Sequence, residues 1–317
     1  MTNWFLLAIG FILLVKGADW LVEGASGLAL RLNVSDLAVG LTVVAFGTST
    51  PEMIVNIFAS IQQHQDIAVG NIIGSNIFNL LVILGITGLI MPLVVQSSTT
   101  WKEIPFSLAA VAVLFFQTLD IGTTGPKLIS RIDGFILLTL FCGFLFYIYK
   151  VLAQINEIEA LSPVKTKIVN LLLFIGIGIT ALVIGGRFVV KSAVQLAQAL
   201  GVSQKIIGLT LVATGTSLPE LMTSVVAAFK KKDDIAIGNI IGSNIFNILF
   251  ILGISAIIRP IIYDPLFNTD LIVLSAGTIF LFIAMFTGEK KRLDRWEAGV
   301  LLAGYVGYLL YLIAREG

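Results

Sequence analysis

Two glutamates, Glu52 and Glu220, stand in long apolar stretches of the chain, and each closes the same short pattern, Gly-Thr-Ser-x-Pro-Glu. An ionisable side chain within an apolar, membrane-length stretch is costly to bury and usually marks a functional site. Carboxylate and hydroxyl oxygens are the ligands that hard cations such as Ca²⁺ and Na⁺ prefer. The chemistry that this pattern could support is therefore the binding of a hard cation.

The proline in each pattern predicts further oxygen ligands. Proline has no N–H and clashes with the preceding turn, so it releases a carbonyl about four residues earlier. For Pro51 and Pro219 those carbonyls lie near Gly47 and Gly215. Broken helix is tolerated at membrane depth where it is buried in protein or lines a polar cavity. We therefore expect two interrupted helices whose carbonyls and hydroxyls accompany the glutamates, the hydroxyls being those of Thr48, Ser49, Thr216 and Ser217.

A second pattern follows each glutamate. Residues 66–79 and 234–247 are identical except for one Val-to-Ile difference. Asn71, Ser75 and Asn79 are spaced by four, so on a helix they share one face, and Asn239, Ser243 and Asn247 repeat the spacing. These side chains could supply amide and hydroxyl oxygens to the cation. The alternative is that some of the amides, Asn71, Asn76 and their equivalents, only join neighbouring helices.

Both patterns recur at one constant offset. Glu52 and Glu220 are 168 residues apart, as are Asn79 and Asn247 and even Pro92 and Pro260. A repeat without gaps indicates a duplicated structural unit.

Composition defines the class of protein that carries the repeat. The chain of 317 residues is 57% hydrophobic and only 12% charged. Apolar runs of about 20 residues recur along it, each long enough to cross a bilayer, and they are too continuously apolar for barrel strands. The sequence therefore predicts an all-α polytopic membrane protein with ten transmembrane helices, at 4–29, 34–62, 66–91, 104–119, 132–153, 168–199, 203–230, 234–259, 269–287 and 296–313.

A polar connector divides the spans into two groups of five. We predict a first five-helix repeat at 1–153, a cytoplasmic linker at 154–167 and a second repeat at 168–317. Because five is odd, the second repeat enters the membrane from the opposite side, and the two repeats are inverted. Inverted repeats are typical of secondary transporters, which bind substrate near the bilayer midplane where the repeats meet.

Basic residues predict the orientation in the membrane. Twelve lysines and arginines fall in the loops on the side of the linker, against five on the other side. Since cytoplasmic loops carry the excess of basic residues, we expect a multi-pass protein of the cytoplasmic (inner) membrane with both termini outside.

Other classes of function find little support. The net charge of +1 gives no reason to expect a nucleic-acid partner, and the single cysteine, Cys142, excludes a disulfide framework or a thiolate metal site. No HExxH motif or nucleophile–base pair is apparent, so we expect no enzyme. We expect no cofactor and no obligate protein partner. The lipid bilayer is the expected surrounding of the protein.

The two patterns, one copy of each in each half, resemble the α-repeats of the sodium/calcium exchanger family within the cation/Ca²⁺ antiporter superfamily. This resemblance implies ten spans, inverted repeats and exchange of Na⁺ for Ca²⁺ by alternating access, in which spans one and six slide across a rigid core. It also implies the ion ligands, with the two alanines acting through their carbonyls: Ala45, Thr48, Ser49, Glu52, Ser75, Asn79, Ala213, Thr216, Ser217, Glu220, Ser243 and Asn247.

One position departs from part of the family. Some members carry Asp where this chain has Asn247, and in K⁺-dependent relatives that Asp is linked to the use of K⁺. With two carboxylates instead of three, we predict a K⁺-independent protein. The family's usual exchange of three Na⁺ for one Ca²⁺ would make transport electrogenic.

Two alternatives remain at this point. An H⁺/Ca²⁺ antiporter on the same scaffold would use Glu52 and Glu220 to carry the protons. A cation channel is a different class, which strict coupling to an ion gradient would exclude.

Overall fold

The computed structural model describes residues 2–119, 127–152, 166–199, 213–289 and 291–316, and these form mainly helices. Within these ranges, eight helices are long and apolar enough to cross a membrane, and a bent pair forms a ninth span. The remaining predicted span, the seventh at 203–230, is represented by the short apolar helix Leu218–Phe229, since its beginning at 203–212 lies outside the described residues. The protein is thus an all-α polytopic membrane protein with ten helices in two inverted repeats.

The first half contains six helical segments. In chain order they are α1 (Thr2–Leu32), α2 (Asp36–Thr48), α3 (Thr50–Gln62), α4 (Gln65–Ile77, continued by Phe78–Ile83 and Leu84–Ile90), α5 (Thr99–Glu103 and Ile104–Leu119) and α6 (Arg131–Tyr147 and Ile148–Leu152).

The second half repeats this order. Its helices are α7 (Ile168–Ala199), α8 (Ala213–Gly215), α9 (Leu218–Phe229), α10 (Asp233–Ile245, continued by Phe246–Ile251 and Leu252–Ile258), α11 (Asn268–Ala284) and α12 (Arg295–Glu316). The predicted linker at 154–167 lies outside the described residues except for its last two positions.

Both predicted interruptions are present. The axis of span two turns by 49° between α2 and α3, and Ser49 occupies the break with φ −80° and ψ 8°. In the second half Ser217 occupies the equivalent place with φ −89° and ψ 7°. Pro51 and Pro219 lie in the first turns of α3 and α9, where the missing N–H costs little because first-turn N–H groups have no partner within the helix. The breaks therefore lie just ahead of the prolines.

Wide turns mark the same position in both halves. Phe78–Ile83 in α4 and Phe246–Ile251 in α10 are π-helical. Such turns are rare and occur frequently at functional sites. The second residue of each is a predicted ligand, Asn79 or Asn247.

The chain forms two compact units that do not coincide with the repeats. The first unit comprises Met1–Pro51 and Tyr147–Asn239, and the second comprises Glu52–Phe146 and Ile240–Gly317. Each unit therefore draws on both halves of the sequence.

In the first unit, the long helices α1 and α7 pack against each other in opposite directions. An added Cβ at Gly17 would lie 2.8 Å from the carbonyl oxygen of Gly178, and one at Gly10 would lie 2.9 Å from that of Gly185. Only glycine permits this approach of the two backbones. A similar approach holds α2 against the start of α10, because a Cβ at Gly238 would lie 3.0 Å from the Leu37 carbonyl oxygen.

In the second unit, two small antiparallel sheets tie the halves together. β1 (Leu93–Val94) pairs with β4 (Arg292–Leu293), and β2 (Leu128–Ile129) pairs with β3 (Ile261–Ile262). Each sheet takes one strand from each half. β1 and β3 lie 168 residues apart and therefore occupy equivalent positions in the two halves. Each pairs with a strand of the other half, so the two sheets connect the halves in equivalent ways.

Candidate cation-binding site

Glu52 and Glu220 occupy equivalent, fully buried positions. Each lies in the first turn of its helix, α3 or α9, and neither exposes any surface to solvent. The N-terminal end of a helix carries a partial positive charge that favours a carboxylate. That contribution is small beside the cost of burying an ionised carboxylate, which must be offset by a cation or removed by protonation.

In the first unit, a hydroxyl from one half contacts the glutamate of the other. Ser49, at the break between α2 and α3, donates from Oγ to Glu220 Oε1 at 3.0 Å. A hydrogen bond to an ionised carboxylate is stronger than one between neutral groups. Two of the predicted ligands are thereby brought together in a buried environment.

Thr48 lies beside this pair in the first unit. Its hydroxyl is 3.3 Å from the carbonyl oxygen of Ala45 and 2.9 Å from Oδ1 of Asn239. Asn239 in turn donates from Nδ2 to Ser224 Oγ at 2.9 Å and to the Glu220 carbonyl oxygen at 3.3 Å. Asn239 therefore joins α10 to both α2 and α9.

In the second unit, the first glutamate contacts a serine of its own half. Ser75 Oγ lies 3.5 Å from Glu52 Oε1, at the outer limit of hydrogen bonding. One turn away on both helices, Asn71 donates from Nδ2 to Asn56 Oδ1 at 3.1 Å. Ser75 therefore faces α3, as the spacing by four predicts.

The amides one turn before the serines predicted as ligands join neighbouring helices. Asn71 bonds to residue 56 on α3, and Asn239 bonds to residue 224 on α9, at the same offset of 168. Sequence reasoning missed Asn56 and Ser224, although each is a polar residue one turn after the motif glutamate. Asn71 and Asn239 thus join neighbouring helices, which is the contact that the helix-joining alternative predicts.

Four buried asparagines form a linked group in the second unit. Asn79 donates from Nδ2 to Asn244 Oδ1 at 3.1 Å, and Asn247 donates from Nδ2 to Asn76 Oδ1 at 2.9 Å. Asn79 Oδ1 and Asn247 Oδ1 are buried and have no hydrogen-bond partner. These two amide oxygens are therefore available to a ligand.

The other predicted ligands lie at equivalent places. Ser243 is fully buried one turn before Asn247, and its hydroxyl has no hydrogen-bond partner. Thr216 and Ser217 form the break ahead of α9, and Ala213 begins α8. Among the residues that the structure describes, no three His, Cys, Asp or Glu side chains gather as a metal site.

Inverted repeats, interrupted helices and buried side-chain oxygens are typical of a secondary transporter of cations. A family model described as sodium/calcium exchanger protein matches residues 2–150 and 170–314. The chain belongs to the sodium/calcium exchanger family, whose members are transporters and not enzymes. It is accordingly a multi-pass cation/Ca²⁺ antiporter.

Full-length relatives agree with this assignment. The inner membrane protein YrbG of Escherichia coli strain K12 is 37% identical, over 97% of this chain and 94% of that protein. The sodium/calcium exchanger MaX1 of Methanosarcina acetivorans is 32% identical, over 98% of each chain. A solved structure of the sodium-calcium exchanger NCX_Mj, soaked with zero Na⁺ and Ca²⁺, superposes with a TM-score of 0.81 at 34% identity and covers 98% of each chain.

Proposed function

We propose that the protein exchanges Na⁺ for Ca²⁺ by alternating access, and that the ions take their ligands from the twelve residues named from the sequence. The observation that carries this proposal is the pair of unpartnered amide oxygens, Asn79 Oδ1 and Asn247 Oδ1. Leaving a buried acceptor without a partner costs about 1–3 kcal/mol. Binding of a cation would recover that free energy.

The same oxygens favour Na⁺ over H⁺ as the coupling ion. A side-chain amide accepts no proton near neutral pH, so a proton could use only Glu52 and Glu220. Hydroxyl and amide oxygens, by contrast, suit hard metal cations. The name of the relative MaX1, a sodium/calcium exchanger, supports the same choice.

The charge of the ligands supports exchange that is electrogenic and independent of K⁺. Glu52 and Glu220 are the only carboxylates among the twelve residues, so together they balance one Ca²⁺. Three Na⁺ in place of one Ca²⁺ would leave the residues and ions with a charge of +1. Because position 247 is an amide, no third carboxylate is present to favour K⁺.

We further propose that the protein lies in the cytoplasmic membrane with both termini outside. Lys230, Lys231 and Lys232 follow α9, and Lys290, Lys291 and Arg292 precede α12 in the sequence. The positive-inside rule places these clusters in the cytoplasm.

The test is ⁴⁵Ca²⁺ uptake into proteoliposomes loaded with Na⁺ and diluted into Na⁺-free medium. We expect uptake to require the Na⁺ gradient, to be the same with and without K⁺, and to be lost in Glu52→Gln and Glu220→Gln. A membrane-potential dye should report net charge movement during uptake.

Two outcomes would contradict the proposal. Uptake driven only by a pH gradient would assign the protein as an H⁺/Ca²⁺ antiporter. Ca²⁺ flux that depends on no counter-ion gradient would indicate a channel, and full activity in both glutamate variants would remove Glu52 and Glu220 from the site.

A further inference from the structure

The amides of Asn76 and Asn244 bond to each other's backbones. Asn76 donates from Nδ2 to the Asn244 carbonyl oxygen at 3.2 Å, and Asn244 donates from Nδ2 to the Asn76 carbonyl oxygen at 3.3 Å. All four atoms belong to the second unit, and both side chains are buried. These reciprocal bonds hold α4 against α10 at the level of their π-helical turns.

A backbone carbonyl can only accept a hydrogen bond, and this fixes the direction of each amide. The Nδ2 group of Asn76 must face the Asn244 carbonyl, so Asn76 Oδ1 faces the opposite way as an acceptor. Its neighbour Asn247 must then present a donor, its Nδ2, at 2.9 Å. The remaining atom of that amide, Asn247 Oδ1, is the buried oxygen without a partner.

An equivalent chain of hydrogen bonds fixes the amide of Asn79, with the two halves of the sequence exchanged. Asn244 Oδ1 accepts from Asn79 Nδ2 at 3.1 Å, and this leaves Asn79 Oδ1 as the buried oxygen without a partner. Each chain of bonds therefore starts at a backbone carbonyl and ends at an unpartnered oxygen.

We propose that Asn76 and Asn244 are positioning residues that hold the amides of Asn247 and Asn79 with their oxygens, rather than their NH₂ groups, presented to the transported cation. The proposal rests on the proposed cation-binding function. Without the acceptor from Asn76, the Asn247 amide could turn over and present a donor to the cation, which would repel it. The pairing is crossed, since each positioning residue acts on the ligand of the other half and not on the ligand one turn along its own helix.

The crossed pairing defines a test by double-mutant cycles. The readout is ⁴⁵Ca²⁺ self-exchange in proteoliposomes with Ca²⁺ on both sides, measured as half-saturating Ca²⁺ concentration and maximal rate without any Na⁺ or H⁺ gradient. We expect Asn76→Ala to raise the half-saturating concentration by roughly 5- to 10-fold, which corresponds to the usual free-energy contribution of one buried hydrogen bond. The maximal rate should change less.

The decisive comparison uses two backgrounds. In Asn247→Ala the added effect of Asn76→Ala should disappear, because the amide that it orients is gone. In Asn79→Ala the effect of Asn76→Ala should persist in full. Asn244→Ala should behave in the opposite way, without effect when added to Asn79→Ala and with full effect when added to Asn247→Ala.

Asn71→Ala is the matched control, since it removes an amide–amide bond from the same helix that does not lead to an unpartnered oxygen. It should leave the half-saturating Ca²⁺ concentration within about twofold of the wild type, a change of roughly 0.4 kcal/mol. Effects of Asn76→Ala that simply add to those of Asn247→Ala, or that Asn71→Ala reproduces, would overturn the inference. Absence of self-exchange in the wild type would instead count against the proposed function itself.

Discussion

Replacing Asn247 by Asp tests the amide arrangement most directly, because it exchanges one NH₂ group for an oxygen. In the wild type that NH₂ group donates to Asn76 Oδ1 at 2.9 Å. In the variant with an ionised carboxylate, two acceptor oxygens would face each other at that distance, and the buried Asn76 oxygen would lose its donor.

The expected cost follows from the lost bond. Leaving a buried acceptor unsatisfied costs about 1–3 kcal/mol, and more next to a charge. We therefore expect Asn247→Asp to lower the free energy of unfolding by about 2 kcal/mol when Ca²⁺ is chelated. For a protein of this size that corresponds to a decrease of roughly 3 °C in Tm.

Ca²⁺ should act in the opposite direction on this variant. A third carboxylate strengthens the attraction for a divalent cation, and a tenfold lower Kd would add about 1.4 kcal/mol of stabilisation at saturating Ca²⁺. The difference in Tm between Ca²⁺ and chelator should therefore be larger in Asn247→Asp than in the wild type.

Thermal unfolding of the purified protein in detergent measures both effects. Asn71→Asp is the control, because it disrupts a similar amide–amide bond of 3.1 Å that involves no predicted ligand. It should lower Tm in chelator without enlarging the response to Ca²⁺. Unchanged stability of Asn247→Asp in chelator, or an equal Ca²⁺ response in the two variants, would refute the reasoning.

Three further predictions concern other contacts. Ser49→Ala removes a buried bond to the carboxylate of Glu220, so the half-saturating Ca²⁺ concentration for uptake should rise about tenfold or more; an unchanged value would exclude this contact from the site. Gly178→Ala would place a Cβ 2.7 Å from the backbone of α1 and should lower Tm, whereas Gly176→Ala, with no described atom within 4 Å, should not; equal effects would contradict the close packing. Burial raises the pKa of Tyr263 from 10.0 to about 12, so the folded state keeps the phenol proton while the unfolded state loses it, and stability should fall as pH rises from about 10 to 12; Tyr263→Phe should flatten the decline in Tm, and an identical pH profile would argue against this effect.

The sequence was sufficient for the architecture because its signals are local and repeated. The number of spans follows from the apolar runs, and the inversion follows from an odd number of spans per repeat. The breaks at Ser49 and Ser217 follow from the prolines two residues later. Both glutamates could be identified because each is a charge within an apolar run, present at equivalent positions.

Contacts between the halves could not be derived in the same way. That Ser49 bonds to Glu220, rather than to the glutamate three residues further along, depends on how the two halves pack. Asp19 is a similar case, since its ion pair with Lys230 at 2.5 Å joins residues 211 positions apart. Helical spacing also predicts contacts between Asn76 and residues of its own helix. Its side-chain hydrogen bonds instead join it to Asn244 and Asn247 in the other half.

The reciprocal bonds of Asn76 and Asn244 have the form of a contact across a two-fold axis, because each residue gives its partner what it receives. In a homodimer such an interface uses one surface patch twice. Two copies of a single five-helix half, inserted in opposite orientations, could close the same pair of bonds. Duplication and fusion of the gene for such a half would then have required no new contact at this point, and the two copies could diverge elsewhere while the asparagines still met.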